Sequence, residues 1–443
     1  MPKVSVIMPC LNMEKYIREC MNSVVEQTLR DIEILVIDAG STDGTLDILA
    51  EYAKEDERIQ VVCSDRKSYG YQMNKGIALA TGEYIGIVET DDIVELDMFQ
   101  LLYEEAVKED ADYAKGLGER VYFGKRGIKW RFKIKACPQL EQKEKYIAVP
   151  QNTPSLFIYD NFLWNGIYRR DFLKKVKFNE TPGAAFQDIG ALFQIISRAN
   201  KGVYINHLVY NYRQDNIDAS SYNRKSLLYT ATEYQYIEQF LRDLPKEWEE
   251  IYYIKMAGLT MDRFHFMAGS GEFWNESING IEALHTKLLM AVKKGMINQS
   301  NCELWEEIQI FLDEPRDLYI YDRKIFKRKS EKMDHILEVS KRHGTYIFGS
   351  GAYGKFVHMY LELHGAENII AFCDNSKSIQ GKVIQTLPVI RPEETIKNGF
   401  DAYYIIAAKN HTLEMKKQLI QMGVNPDCIE IYDAGIDIYL LKK

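Results

Sequence analysis

The chain has 443 residues, which is too long for one ordinary hydrophobic core, so we expect two or three domains. Hydrophobic residues make up 46% of it and charged residues 27%, which excludes an intrinsically disordered chain. With a net charge of −8 the chain lacks the overall basic character of a nucleic-acid-binding protein, so we expect no nucleic acid among its partners. No apolar run reaches the roughly 18 residues that cross a bilayer, and the N-terminus lacks a signal-peptide pattern.

The seven cysteines are odd in number and are never spaced as Cys-x-x-Cys. This pattern favours reduced, mostly buried thiols over disulfides or a zinc site. We therefore expect a cytoplasmic protein of enzyme size, with peripheral attachment to the inner face of the membrane as an alternative.

The first 90 residues alternate short apolar runs with segments of helical periodicity. In the first helical segment, Asn12 is placed to cap a helix whose inner side carries Ile17, Met21 and Val24. Strands buried on both faces are predicted at residues 4–8, 34–37, 61–63 and 84–88. Strands that alternate with helices in this way imply a parallel sheet covered on both faces.

Polar residues follow each of these four strands at the point where the strand ends. They are Pro9-Cys10, Asp38, Ser64-Asp65 and Glu89-Thr90-Asp91-Asp92. The carboxyl ends of parallel strands share one edge of a sheet, and open α/β sheets bind their ligands there. The sequence therefore predicts a single acidic crevice.

The densest acidic segment of that crevice is residues 89–92, with three carboxylates in four positions. Such carboxylates repel one another, and a divalent cation relieves the repulsion. Oxygen ligands suit Mg²⁺ or Mn²⁺, which take one or two carboxylates together with substrate phosphates. The alternative is a solvated acidic loop at the start of the helix near Glu95, where acids suit the helix dipole.

Six segments in the first half of the chain carry a family resemblance. They are VSVIMPCLN at 4–12, VIDAGSTDGT at 36–45, MNKGIALATGEYIGIVETDD at 73–92, WNGIYRRDFL at 164–173, FQDIGALFQII at 186–196 and YNYR at 210–213. Together they resemble glycosyltransferase family 2, whose members have the GT-A fold. The resemblance implies an α/β fold with a mostly parallel sheet, and inverting sugar transfer from a nucleotide-sugar donor.

On the nucleoside side of the crevice, the resemblance implies two sets of contacts. Asp38 would hydrogen-bond the base of the donor. Pro9, Leu11 and Asn12 would line the nucleoside pocket. Apart from the resemblance, the position of Arg66 and Lys67 before the third helix makes either of them a candidate for steering the donor phosphates, although charged loop side chains are usually only solvated.

On the diphosphate side, the resemblance implies that Asp91 holds a Mn²⁺ or Mg²⁺ ion. Asp92 or Glu89 would support the ribose or the metal, and Arg213 would contact the diphosphate or the acceptor. The sequence departs from the family pattern here, because Glu89 stands where aspartate is usual. It also departs at Ala39, which replaces the second acid of the Asp38 motif.

Asp188 would be the catalytic base, the group that takes a proton from the acceptor hydroxyl. Gln187 replaces the acid that commonly precedes it, which leaves Asp188 as the one carboxylate in this motif. The alternative is that Asp188 only stabilises the start of the helix that carries Leu192 and Ile196.

A basic segment at 125–135 carries six cations and no acid, alternating with Ile128, Trp130, Phe132 and Ile134. Period-two alternation predicts a strand with one charged and one apolar face. It favours either contact with an anionic membrane surface or lipid-diphosphate acceptor, or a hairpin whose apolar face packs on the core. The cations are Lys125, Arg126, Lys129, Arg131, Lys133 and Lys135.

In the rest of the chain, the pattern of apolar residues changes twice. Residues 221–340 show helical periodicity, and at 341 a new α/β unit begins with a strand, a glycine-rich turn and a helix. Gly349, Gly351 and Gly354, with Asp374 after the next strand, match a small Rossmann-like domain that suits a nucleotide. We therefore predict three domains, at 1–220, 221–340 and 341–443.

The expected function is metal-dependent, inverting transfer of a sugar, with a UDP-sugar donor favoured. The acceptor would be a glycan or a lipid-linked sugar in cell-surface polysaccharide synthesis. Two alternatives stay open. One is a catalytically silent subunit that binds nucleotide sugar or acts as a scaffold. The other is an NAD-dependent sugar oxidoreductase or epimerase that uses the C-terminal domain, although Tyr353 and Tyr360 lack a lysine four residues on.

Overall fold

The computed structural model describes residues 1–124, 127–134, 137–183, 185–216, 218–271, 274–398, 402–432, 435 and 440. The chain divides into two compact units. The first unit comprises Met1–Val121, Arg131–Phe264 and Phe273–Pro315. The second unit comprises Tyr122–Trp130, His265–Glu272 and Arg316–Lys443. The division into three domains at 220 and 340 stays a prediction.

The large sheet contains ten strands in the described part of the chain. They are β1 (Val4–Cys10), β2 (Ile32–Asp38), β3 (Ile59–Cys63), β4 (Tyr84–Ile87), β5 (Ile93–Val94), β6 (Tyr113–Gly124), β7 (Gly127–Ile134), β8 (Lys145–Ala148), β9 (Gly166–Arg169) and β10 (Gly202–Arg213). The main order is β3-β2-β1-β4-β9-β6-β10-β5, with β7 beside β6 and β8 beside β10. The first four strands are parallel, whereas β9 runs antiparallel to both of its neighbours.

Twelve helices accompany this sheet and follow it in the described residues. They are α1 (Ile17–Val25), α2 (Thr45–Glu55), α3 (Tyr69–Leu79), α4 (Met98–Lys108), α5 (Leu156–Tyr159), α6 (Arg170–Leu173), α7 (Gln187–Arg198), α8 (Ser226–Leu241), α9 (Lys246–Ser270), α10 (Trp274–Lys293), α11 (Trp305–Asp313) and α12 (Pro315–Arg342). Helix α1 buries Ile17, Met21 and Val24, as its periodicity predicts. The capping prediction was wrong, because α1 begins at Ile17 without a side-chain cap. Asn12 instead accepts a hydrogen bond from the Thr42 backbone N–H at 2.8 Å.

A second sheet lies in the C-terminal part of the chain. Its elements are β11 (Thr345–Phe348), α13 (Ala352–Leu363), β12 (Ile369–Cys373), β13 (Val383–Ile384), β14 (Leu387–Ile390), β15 (Tyr403–Ala407), α14 (Thr412–Gln421) and β16 (Ile429–Tyr432). The strand order is β13-β14-β12-β11-β15-β16, and every pair except β13 with β14 is parallel. Its core buries aromatic and aliphatic side chains, including Tyr346, Phe348 and Ile406.

These elements confirm the predicted fold class, an α/β protein with a large sheet, a helical region and a second, smaller sheet. The seven cysteines are all free, and five of them are buried. Among the described helices, none is both long enough and apolar enough to cross a membrane.

Candidate active site

The predicted crevice forms because parallel pairing aligns the ends of the first three strands. Cys10 pairs with Asp38, and Asp38 pairs in turn with Cys63. A cavity of about 730 Å³ opens beside these ends and is lined by residues that include Leu11, Asn12, Met13, Tyr16, Asp43 and Asn216. Leu11 and Asn12, two of the residues predicted to line the nucleoside pocket, border this cavity, and their contact with a nucleoside stays a prediction.

The turn after β2 is held in place by Asp38. Its side chain is fully buried, and Oδ1 accepts hydrogen bonds from the backbone N–H groups of Gly40 at 2.9 Å and Ser41 at 2.8 Å. Gly40 has a φ of +85°, which glycine adopts without strain. The Ser41 hydroxyl donates to Oδ2 and accepts a hydrogen bond from the Asn12 N–H. Asp38 thus shapes the loop, and its contact with a nucleoside base stays a prediction.

The segment after β4 brings three carboxylates to the same edge of the sheet, of which Glu89 and Asp91 are half-buried. Tyr69 donates its hydroxyl to Oε1 of Glu89 at 2.9 Å, and burial raises the pKa of the Glu89 carboxyl to about 8. Asn216 donates its side-chain N–H to Oδ2 of Asp91 at 2.7 Å, and burial also raises the pKa of Asp91. Both carboxylates therefore lie where their negative charge is poorly solvated.

Asp92 has a different environment. It is fully buried, and it accepts hydrogen bonds from the Tyr210 hydroxyl at 2.8 Å and the Arg213 N–H at 2.7 Å. Burial and the neighbouring Asp91 carboxylate raise the pKa of Asp92 well above its usual range. These contacts tie the acidic segment to β10, so Asp92 supports the loop in this structure. Its direct contact with ribose or metal stays a prediction, as does the donor contact of Pro9, whose carbonyl accepts from the Thr90 hydroxyl at 3.0 Å.

A metal ion would need oxygen ligands in this segment. Within the described ranges, no three His, Cys, Asp or Glu side chains come together closely enough to hold an ion by themselves. Mg²⁺ and Mn²⁺ do not require such a cage, because phosphates and water complete their coordination. Asp91 and Glu89, both half-buried and two residues apart, can supply one or two such ligands. Burial disfavours their ionised forms, and a bound cation would favour them.

Arg213 is the cation nearest to this segment along β10. Its Nε donates to the Asp91 carbonyl at 2.6 Å, its guanidinium pairs with Glu19 and Asp215, and it lies over the Tyr16 ring at 5.0 Å. These partners hold Arg213 beside the cavity that Tyr16 lines. Whether it contacts a diphosphate or an acceptor stays a prediction.

Arg66 lies on the exposed loop before α3, where the sequence placed it. Its guanidinium pairs with Glu180 at 3.3 Å and stacks over the Tyr71 ring at 4.6 Å. Both side chains of the ion pair are substantially exposed, so the pair holds Arg66 only weakly. Its steering role stays a prediction.

Asp188 lies in the first turn of α7. The residue before the helix, Phe186, has a φ of +67°, which brings the chain sharply into the helix. Burial raises the pKa of Asp188 to about 6, although the backbone N–H groups of Asp188 and Ile189 partly offset it. Its predecessor Gln187 is buried and donates to Thr181, so Gln187 fixes the loop and carries no charge. A carboxylate with this pKa is ionised at neutral pH and can still take a proton.

Sequence reasoning missed one buried acid beside α7. Glu233, on α8, is 1% exposed, and its carboxylate accepts the Gly190 N–H at 3.1 Å and the Asn179 side-chain N–H at 3.0 Å. Burial raises the pKa of Glu233 to about 8, and the Asp188 charge adds to that rise. A Cβ at Gly190 would lie 2.1 Å from the Glu233 carboxylate, so any larger residue there would displace this group. The available signal was that Glu233 falls on the buried stripe of α8, between Thr230 and Ile237.

The glycine-rich turn of the second unit serves its own packing. Gly349 has a φ of +105°, and a Cβ on Gly354 would lie 1.8 Å from the Gly349 carbonyl oxygen. Ser350 donates both its N–H and its hydroxyl to the Asp374 carboxylate at 2.9 Å. A Cβ on Gly351 meets no atom within 4 Å. Nucleotide binding by this turn and Asp374 stays a prediction.

The basic segment at 125–135 is described only in part. Lys125, Arg126 and Lys135 lie outside the described residues, as does the side chain of Lys129. Arg131 hydrogen-bonds Asn211 at 2.7 Å and pairs with Glu119 at 3.3 Å, so one of the six cations is held by the protein itself. Membrane contact through this segment stays a prediction.

Comparison with known proteins identifies the family of this chain. The family model for glycosyl transferase family 2 matches residues 5–177. The glycosyltransferase GlyG of Streptococcus pneumoniae is 31% identical over 222 residues, covering 48% of this chain and 70% of GlyG. The uncharacterized glycosyltransferase EpsJ of Bacillus subtilis is 36% identical over 181 residues, covering 39% of this chain and 50% of EpsJ. The chain belongs to glycosyltransferase family 2.

The solved structure of S. aureus TarS 1–349 is similar with a TM-score of 0.51 and 20% sequence identity. The match covers 74% of this chain and 91% of that one. At this identity the likeness supports the GT-A fold alone. The chain spans about half the length of EpsJ, so its donor, acceptor and partners are inferred separately below.

Proposed function

We propose that this protein transfers a sugar from a nucleotide-diphosphate donor to an acceptor hydroxyl, with inversion at the anomeric carbon. The observation that carries the proposal is a group of three half-buried carboxylates, Glu89, Asp91 and Asp188, in which the charges of Asp91 and Asp188 add to the raised pKa of Glu89. Glu89 and Asp91 suit the diphosphate end, and Asp188 has a pKa raised to about 6, which suits a general base. Membership of family 2 supports the reaction class.

A divalent cation, Mn²⁺ or Mg²⁺, would be held by Asp91 with Glu89 beside it, and would neutralise charge on the departing nucleoside diphosphate. Asp91 is kept in place for this by Asn216, and its backbone carbonyl is fixed by Arg213. Asp92 ties the acidic segment to β10 by accepting a hydrogen bond from the Tyr210 hydroxyl. The acidic segment is therefore pre-positioned, so little ordering is required when a donor binds.

Asp188 would accept the proton of the acceptor hydroxyl while that oxygen attacks the anomeric carbon. A single displacement of this kind inverts the configuration. The helix start holds the carboxylate through its N–H groups, and Glu233 holds the same turn through the Gly190 N–H. The base would therefore approach the donor on a rigid element, which favours precise alignment.

The donor is proposed to be a UDP-sugar, with its nucleoside in the cavity beside Leu11 and Asn12. TarS has been solved in complex with UDP-GlcNAc, which makes that sugar the first to test. The acceptor is proposed to be a glycan or lipid-linked sugar of a cell-surface polysaccharide, and the location cytoplasmic or at the inner face of the membrane.

The proposal is tested by donor hydrolysis and by thermal melting with UDP-sugars, each with and without Mn²⁺. Binding to the folded state raises the melting temperature by mass action. We expect a Mn²⁺-dependent rise and slow release of UDP. A rise in melting temperature without release of UDP, with every donor and acceptor tried, would favour a catalytically silent subunit. A melting temperature that rises with NAD but with no UDP-sugar would instead favour an NAD-dependent activity of the second unit.

A further inference from the structure

Helix α12 is the longest helix in the described part of the chain, and contacts inside the second unit fix which of its sides faces inward. The Tyr319 hydroxyl donates to the Gly271 carbonyl at 3.1 Å, and Asp322 pairs with His265 at 2.8 Å. Phe326 lies against Gly269, where a Cβ would come within 3.1 Å of the ring. These residues therefore form the inner side of the central part of α12.

The opposite side of this stretch is exposed and is both apolar and basic. With 3.6 residues per turn, its members share one arc of about 160°. We name it the α12 face, and it consists of Ile320, Tyr321, Lys324, Ile325, Lys327 and Arg328. Its three large apolar side chains are 55%, 61% and 37% exposed for Ile320, Tyr321 and Ile325 respectively. Single exposed apolar residues are ordinary, but three within six positions form a patch.

The cations of the α12 face are opposite in sign to the net charge of the whole protein, which is −8. Lys324, Lys327 and Arg328 are all exposed and lie between and beside the apolar side chains. Lys327 has an acidic neighbour, Glu331, but at 3.8 Å and with both side chains mostly exposed this pair is weak. Asp317 and Glu331 are exposed on the same arc, so the three cations leave the face with a net positive charge of about one.

We propose that the α12 face docks this protein on an anionic lipid surface. An amphipathic helix with cations beside exposed apolar residues lies in the plane of a membrane interface. Ile320, Tyr321 and Ile325 would enter the boundary between headgroups and acyl chains, and the cations would contact lipid phosphates. The inference is independent of the transfer reaction, because it uses no residue of the candidate active site.

Charge complementarity favours lipid over a second copy of this chain. A two-fold contact through this face would bring Lys324, Lys327 and Arg328 of both copies, six cations in all, into one contact. Like charges at such a contact repel, whereas lipid phosphates attract them. An anionic surface is thus the partner whose chemistry matches both halves of the face.

The test uses the full chain and flotation with vesicles of phosphatidylcholine alone or with about one-third phosphatidylglycerol. We expect binding to the anionic vesicles only, weakened by added salt. Removing three cations in Lys324→Gln/Lys327→Gln/Arg328→Gln is expected to weaken binding about a hundredfold, since each contributes roughly a fivefold factor. The Ile320→Ser/Ile325→Ser variant is also expected to weaken it.

Matched controls come from exposed residues elsewhere in the second unit. Lys377→Gln/Lys382→Gln/Lys417→Gln removes the same charge, and Val383→Ser/Leu413→Ser removes exposed apolar side chains that are 70% and 68% exposed. Both controls should bind as the unaltered chain does. Because every changed side chain is exposed, the melting temperature of each variant should stay near that of the unaltered chain.

Three results would overturn the proposal. The first is equal partition of the unaltered chain to both kinds of vesicle, a comparison that requires no variant to fold. The second is equal loss of binding in the control variants. The third is a face variant that turns a dimer into a monomer without vesicles, which would assign the α12 face to a second copy.

Discussion

The Asp188→Asn substitution separates the two roles that this position allows. The Asp188 carboxylate lies among N–H groups in the first turn of α7. Asparagine can accept the same hydrogen bonds, so the start of the helix should survive. It cannot take a proton from an acceptor hydroxyl. We expect turnover to fall by about 10²–10⁴-fold, or roughly 3–5 kcal/mol of barrier, while donor affinity changes little.

The pH dependence gives a second measure of the same group. Burial raises the pKa of Asp188 to about 6, so the carboxyl should be about nine-tenths ionised at pH 7 and one-tenth at pH 5. Because only the ionised form is a base, kcat/KM should rise with pH through about 6. It should fall by about tenfold between pH 7 and pH 5. In Asp188→Asn this rise should be absent.

The assay is release of UDP from a UDP-sugar in the presence of acceptor, with donor affinity measured by calorimetry. Asp171→Asn is the matched control, since Asp171 is an acid in the first turn of α6 whose side chain is 80% exposed. The control should keep full turnover. Near-normal turnover in Asp188→Asn would refute the base and leave only a helix-stabilising role. Loss of donor binding together with turnover would instead indicate a distorted crevice.

Three other substitutions test the surroundings of the site. Asp91→Asn should abolish the Mn²⁺-dependent part of UDP affinity in calorimetry, whereas unchanged metal dependence would contradict the ligand assignment. Glu233→Gln should gain stability relative to the unaltered chain as pH rises from about 4.5 to 8. Because the pKa of Glu233 is raised in the folded state, the unfolded state loses this proton first, which lowers the free energy of unfolding of the unaltered chain by up to about 5 kcal/mol. Urea unfolding of both proteins at pH 5 and pH 8 measures this effect. The same difference in free energy of unfolding between the two proteins at both pH values would refute it. Gly354→Ala should destabilise the second unit by about 1–3 kcal/mol, because its Cβ would lie 1.8 Å from a carbonyl oxygen. Gly351→Ala, with open space around it, is the control in thermal melting, and donor hydrolysis should stay within about tenfold in both.

Sequence periodicity was sufficient to place the ends of the first strands together. The apolar runs fix which segments become buried strands, and parallel pairing then brings Asp38 level with Cys10 and Cys63. The family motifs, and not periodicity, identified Asp91 as a candidate metal ligand and Asp188 as a candidate base. The predicted cap at Asn12 failed because its side chain reaches a loop 30 residues away, and a local pattern carries no information about that partner.

The sequence by itself determined the first four strands, the helices between them and the acidic character of the crevice, but not the strands that complete the large sheet. These depend on backbone hydrogen bonding and on the spacing of apolar residues within about ten positions. Only the tertiary structure decided which acids are buried and what holds them. Tyr210 reaches Asp92 across 118 positions, Asn216 reaches Asp91 across 125, and Glu233 reaches Gly190 across 43. Desolvation and like charge set the pKa of a carboxylate, and both depend on neighbours that chain folding, not sequence distance, brings near.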